Sequence, residues 1–195
     1  MKKILSMIIA AAMLLTLAAC GGTGTPRATV RTLCEGMKDF DYKKIAGIIE
    51  ESDESAFAEI EEDSLFSALS KYLKEWASAI KYQIGKAEVS GDTATVKVDF
   101  AYTDASDVMT LAVVNYVRQG LSMAVSGASE DEMIALLVSC FESAAQTVSP
   151  GTAEKSVTLT LVKKDASWKI KDAPDEIADI LTSNMISAVQ NAFTN

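Results

Sequence analysis

Residues 82–102 read YQIGKAEVSGDTATVKVDFAY, and the fold is decided here. Ala94, Val96, Val98, Phe100 and Tyr102 fall on one side of a period of two, with Thr93, Thr95, Lys97 and Asp99 on the other. That is the alternation of a half-buried strand. Ile84, Ala87 and Val89 lead into Gly91-Asp92, a turn pair, so the stretch predicts an antiparallel hairpin with one face in a core. A second hairpin follows at 156–171. Val157, Leu159 and Leu161 alternate with Ser156, Thr158 and Thr160, residues 164–167 turn the chain, and Trp168 and Ile170 alternate with Lys169 and Lys171.

Outward from the hairpins the apolar period becomes helical. Thr25-Pro26 has the form of an N-cap followed by proline in the first turn, and Val30, Leu33, Cys34 and Met37 recur on one helical face. Asp39-Phe40-Asp41 breaks that helix, and Ile45, Ile48 and Ile49 predict a second, short one. Leu65, Leu69, Tyr72, Leu73, Trp76 and Ile80 form a longer stripe opposite Lys71, Lys74, Glu75 and Ser78. Between the hairpins two helices are expected, 107–126 and 129–148, the second opened by a capping box of Ser129 and Glu132. Asn115, Arg118, Gln119 and Ser122 put a polar stripe on the first, which is read as a buried helix and not a membrane span. A terminal helix is expected from Pro174 to about Phe193, and the class is α+β.

Composition narrows the function. The chain has 195 residues, 49% hydrophobic, with 27 acidic and 18 basic residues, a formal charge of −9, three cysteines and no histidine. Half-apolar composition with little Gly or Pro excludes collagen-like and disordered polar chains. Strong acidity argues against nucleic acid as a partner, because affinity for phosphate backbones comes mainly from Lys and Arg. Missing histidine removes the commonest general base and the commonest nitrogen ligand for zinc.

The start of the chain carries an address. Met1-Lys2-Lys3 precedes an apolar run from Ile4 to Leu17, the layout of a secretory signal and shorter than the roughly 20 residues that span a bilayer. Leu17-Ala18-Ala19-Cys20-Gly21 resembles the lipobox of bacterial lipoproteins. The resemblance implies cleavage between Ala19 and Cys20 and a diacylglyceryl group on the Cys20 sulfur, so that 1–19 is a signal peptide and the protein is lipid-anchored at the cell membrane, facing outside the cytoplasm. The alternative is an ordinary secretory signal cut near Ala18 or Ala19. Residues 20–25 then form a flexible tether with a reach on the order of 12 Å, and 26–195 a single domain.

Three phrases resemble a further family: TVRTLCEGMKDFDYKKIAGII, the hairpin at 82–102, and SVTLTLVKKDASWKIKD. They are similar to lipoproteins of unknown function that carry a nuclear-transport-factor-two-like, or cystatin-like, domain. The resemblance implies N-terminal helices packed on a strongly curved antiparallel sheet, a cone with an apolar cavity. The helical pair between the hairpins and the helix after the last strand depart from the simplest members of that family and are expected to fill or cover the cavity. Some relatives with this cone are ketosteroid-isomerase-like or polyketide-cyclase-like enzymes, which work through a pocket carboxylate or histidine.

Candidate chemistry is sparse. Asp99 alternates onto the face opposite Val98 and Phe100, which makes it a surface carboxylate. Trp76, Phe100, Tyr102 and Trp168 are the candidate pocket-lining residues, although core packing accounts for each. The acids from Glu50 to Asp63 lack the spacing of a calcium loop. Cys34 and Cys140 sit within apolar stripes, where cysteine behaves as a small hydrophobe, though pairing stays open in an exported protein. No catalytic residue, metal site or cofactor is assigned. The expected function is a non-catalytic binding module for a small apolar ligand or an envelope protein partner. The alternatives are a cone-fold enzyme of the ketosteroid-isomerase-like type and a purely structural envelope accessory protein. The exposed side of the sheet is expected to carry no large hydrophobic docking patch.

Overall fold

The computed structural model describes residues 24–51 and 64–194. They form helices α1 (Pro26–Asp39), α2 (Tyr42–Ala46) and α3 (Ser64–Ser78), strands β1 (Lys81–Ser90) and β2 (Thr93–Asp104), helices α4 (Ser106–Val125) and α5 (Glu130–Thr147), strands β3 (Gly151–Lys164) and β4 (Ser167–Asp172), and helices α6 (Asp175–Leu181) and α7 (Met185–Thr194). The class is α+β, with helices packed against an open antiparallel sheet of order β1-β2-β3-β4. The signal segment, Ala19, Cys20 and the acids of 52–63 lie outside the described residues.

Both hairpins form as their alternation requires. Ala94, Val96, Val98, Phe100 and Tyr102 are buried on β2, and Val157, Leu159, Leu161, Trp168 and Ile170 are buried on β3 and β4. Register brings like to like, with Val96 opposite Leu159, Ala94 opposite Leu161 and Leu161 opposite Ile170. Each pair closes one more step of a continuous apolar face. Ile84 and Ala87 differ in parity, so a regular strand could not bury both. A bulge at Gly85 and Lys86 resolves this, because Ile84 pairs with Val98 and Ala87 with Val96, placing two residues opposite Lys97 alone. Gly85 suits the bulge, since a Cβ there would stand 3.0 Å from the Lys97 carbonyl oxygen.

Both sheet edges are partly occupied. The segment after α2 adds to β4 as a parallel bridge, with Glu50 N donating to Ile170 O and Ile170 N to Ile48 O, each at 2.8 Å. On β1, Arg27 donates to the Ile84 carbonyl at 3.2 Å, and the bulge adds local twist. Ile48 and Ile49 therefore serve the sheet edge, while the short helix ends at Ala46.

Helix α1 lies across the apolar face. Thr25 caps it by accepting from Ala28 N, Phe40 ends it in the left-handed region at φ 55°, and Val30, Leu33, Cys34 and Met37 are buried. The capping box on α5 is present in both directions, with Ser129 Oγ accepting from Glu132 N and the Glu132 carboxylate accepting from Ser129 N at 2.8 Å.

Two expectations are corrected. The terminal helix is broken into α6 and α7, because Ser183 and Asn184 take positive φ of 54° and 63° and turn the chain so that Ser183 O accepts from Ala105 N at 2.9 Å. Asparagine tolerates that conformation better than most residues. Helix α4 is buried on one side only: Val108, Met109, Ala112, Val113 and Gly120 are buried, whereas Val114, Val117, Leu121 and Val125 are exposed.

Candidate functional site

Four helices that share apolar faces do not close completely where they meet. Met109, Val113 and Tyr116 recur at i, i+4 and i+7 on α4, and Leu137 and Phe141 at i and i+4 on α5. With Leu69 of α3 and Val189 of α7 they line a partly open cavity of about 200 Å³ whose wall presents no polar atom. Behind Phe141 stands an aromatic cluster: its ring lies 5.2 Å from Tyr72 at 77°, and 6.2 Å from Trp76. The outer half of the α4–α5 pair is closely packed. A Cβ on Gly120 would come 3.1 Å from Met133 Cε, so glycine there lets the two helices approach.

The residues singled out from sequence are in the core but not around this cavity. Trp76 packs beside Tyr72, with ring centroids 5.8 Å apart. Phe100 is buried on β2 opposite Lys155. Trp168 is buried on β4, and its carbonyl accepts from Thr29 Oγ1 at 3.1 Å. Tyr102 is buried with its hydroxyl donating to Asn184 Oδ1 at 2.9 Å. Ala19 and Cys20 lie outside the described residues. Of the cavity wall, Leu69 alone stood in the sequence-derived stripes. The others sit at helical spacing that was legible, but which faces converge depends on the turn between α6 and α7.

Polar chemistry collects elsewhere, at the end of the sheet where α4 begins. Burial raises the Tyr102 hydroxyl pKa, and Asp104 and Asp179 nearby add to the rise. Burial also pushes the Asp104 carboxyl up, but bonds from Ser106 and Asn184 outweigh it and leave the group below its usual value. Asp179 accepts from Ser187 Oγ at 2.8 Å and pairs with Lys155 at 3.8 Å. Every one of these groups is bonded to a neighbour. Among the described residues, no buried side-chain nitrogen or oxygen lacks a partner.

Asp99 stands on the exposed sheet face, with Ser156 and Lys97 bonded to it, and both hold its carboxyl below the usual range. It shares an open groove with Lys81, Gln83, Glu154 and Ser156, a mixed-charge surface without an enclosed apolar wall. Cys34 and Cys140 are free thiols, both buried. Burial drives the Cys34 pKa up to about 12 and raises Cys140 as well, which keeps both in the unreactive thiol form.

No protein-family model matches the chain, and no curated protein matches it. Among solved structures it is similar to the ycdA protein of Bacillus subtilis subsp. subtilis str. 168, provisionally described as a lipoprotein, with a TM-score of 0.40 and 20% identity. The alignment covers 77% of this chain and 44% of that one, so the chain spans less than half of that protein's length. A likeness this loose carries no argument about function. Among the described residues, no helix is long and apolar enough to cross a membrane.

Proposed function

We propose that this chain is a lipid-anchored module facing outside the cytoplasm, which performs no chemistry and holds a small apolar ligand between its helices. The observation that carries the ligand is the cavity of about 200 Å³ with an entirely apolar wall. For scale, an apolar cavity of about 150 Å³ stays dry and takes up benzene. The fitting class is therefore a single aromatic ring or a short hydrocarbon. The anchor rests on Leu17-Ala18-Ala19-Cys20 at the end of an apolar run. Two acyl chains would hold the protein firmly where one would not, at about 0.8 kcal/mol per buried methylene. The acidic domain would gain nothing from anionic headgroups. The nuclear-transport-factor-two-like assignment belongs to the same proposal, supported by helices seated on the apolar face of an open antiparallel sheet.

The enzyme alternative needs an acid or hydroxyl turned into the cavity, and the wall, Tyr116 included, presents no polar atom to it. Tyr102 and Asp104 instead bond to Asn184, away from the lining residues. Two measurements test the proposal. Radioactive fatty acid should label the wild type and not Cys20→Ala, and label on that variant would sink the anchor. Toluene should raise the melting temperature of the wild type, by an amount equivalent to about 2.7 kcal/mol at a hundred times its Kd. Leu137→Trp, which fills the cavity, should abolish the shift. Equal shifts in both proteins would place the ligand elsewhere.

A further inference from the structure

The cavity between the helices has a neighbour. Met109 of α4 and Met185, Ile186 and Val189 of α7, together with Thr182 and Gln190, wall a more open groove of about 400 Å³. Met109 and Val189 belong to both walls, so these two side chains stand between the cavity and the groove. Neither makes a rigid partition. Methionine turns about three side-chain bonds and adapts to what it meets. Val189 is half-buried, and Ile186 in the groove is 41% exposed.

Size and charge say what fits. An apolar cavity of about 150 Å³ takes the six carbons of benzene, so about 200 Å³ takes roughly eight. The remaining carbons of a longer straight chain would stand outside the cavity, where the groove offers them apolar surface. Charge constrains the head of such a chain. From Asp175 to Thr194, α6 and α7 carry Asp175, Glu176 and Asp179 and no Lys or Arg. On α4, Asp107 lies beside Met109, while Arg118 follows it by nine residues, about 13 Å along the axis. Lys155, which reaches α6, is paired with Asp179. An anionic head would therefore meet like charge at the groove. A hydroxyl meets a partner, because Thr182 Oγ1 donates to Ala178 O at 2.8 Å and keeps its lone pairs for a donor.

We propose that the cavity and the groove form one channel for a single straight hydrocarbon chain of more than about eight carbons with an uncharged hydroxyl head. Met109 and Val189 part to let the chain through, its tail lies against Phe141 and Leu137, and its head rests by Thr182. The proposal rests on the cavity reading above and extends it to the chain length and head group that the two spaces take together.

Isothermal titration of the wild type with straight-chain primary alcohols from hexanol to dodecanol, and with dodecanoate, all below the concentrations at which they aggregate, reads length and head separately. Affinity should keep rising beyond octanol by at least about two-fold per methylene, against about four-fold for a methylene buried completely. Dodecanol should bind about ten-fold or more tighter than dodecanoate, whose charge finds no cation to pair with. Ile186→Gln should lower the ratio of dodecanol to toluene affinity by about ten-fold, because it takes apolar surface from the groove. Affinity that levels off at octanol while toluene still binds would overturn the channel and leave the cavity reading standing. A ratio untouched by Ile186→Gln, or dodecanoate binding as well as dodecanol, would overturn it too. Failure of both toluene and hexanol to bind would bring down the cavity reading and this proposal together.

Discussion

The β2–β3 ladder and the α4–α5 hairpin are both rich in apolar residues, yet they dispose of them in opposite ways. Along β2 from Ala94 to Tyr102 and along β3 from Val157 to Leu161 every second side chain is apolar and buried, and the residues between are Thr, Lys, Asp and Ala101 on the other face. One face meets α1 and α3, and the other is wetted throughout. Along α4 apolar residues occupy more than one face: Met109, Val113 and Tyr116 point to the cavity, while Val117, Leu121 and Val125 point away from the body. Internal packing accounts for the first set only. The contrast shows that equal hydrophobicity does not mean equal contribution to the fold, because the surplus on α4 stays exposed.

Substitutions can break or sharpen this contrast. Leu159→Ala should cost about 2–5 kcal/mol in a denaturant titration, since Leu159 is fully buried between β2 and the helices. Gly85→Ala should cost about 1–3 kcal/mol, because the new methyl would stand 3.0 Å from a backbone carbonyl and the β1–β2 pairing must shift to admit it. Ser129→Ala removes half of the α5 capping box and should cost about 1 kcal/mol by the same titration. Smaller still is an acid effect at Asp104. Its folded pKa is depressed, so its contribution is present above the unfolded value of about 3.9 and lost as pH falls through the folded one. Asp104→Asn should flatten that part of the pH profile of melting. Leu121→Gln should change stability by under about 0.5 kcal/mol. A large loss there would mean that Leu121 belongs to the core after all.

Period-two patterning made the sheet readable almost residue by residue. Only the parity clash between Ile84 and Ala87 needed the coordinates, which resolved it with a bulge. Helix caps at Thr25 and Ser129 were legible too, because they depend on neighbours within four residues. What failed was mostly long-range. Thr182-Ser183-Asn184 is a local breaker that the apolar period around it hid, and the bond from Ala105 N to Ser183 O, some eighty residues away in sequence, is what no local signal records. The same turn places Val189 over Met109 and Val113, so the cavity could not be assembled from sequence. Trp76, Phe100, Tyr102 and Trp168 were the pocket candidates in the sequence, yet the wall is built mainly from aliphatic side chains and methionine, with Tyr116 and Phe141. On α4 a polar stripe suggested burial of the rest, because periodicity shows how many apolar faces exist and not how many partners arrive to cover them.

Native mass spectrometry of the protein drawn from its own membrane tests the central claim most directly. The account expects a chain beginning at Cys20 with acyl groups on it, plus a small apolar molecule held without a covalent bond, which Leu137→Trp excludes while keeping the acyl mass. A chain with an unmodified, differently placed N-terminus and no such guest would contradict it.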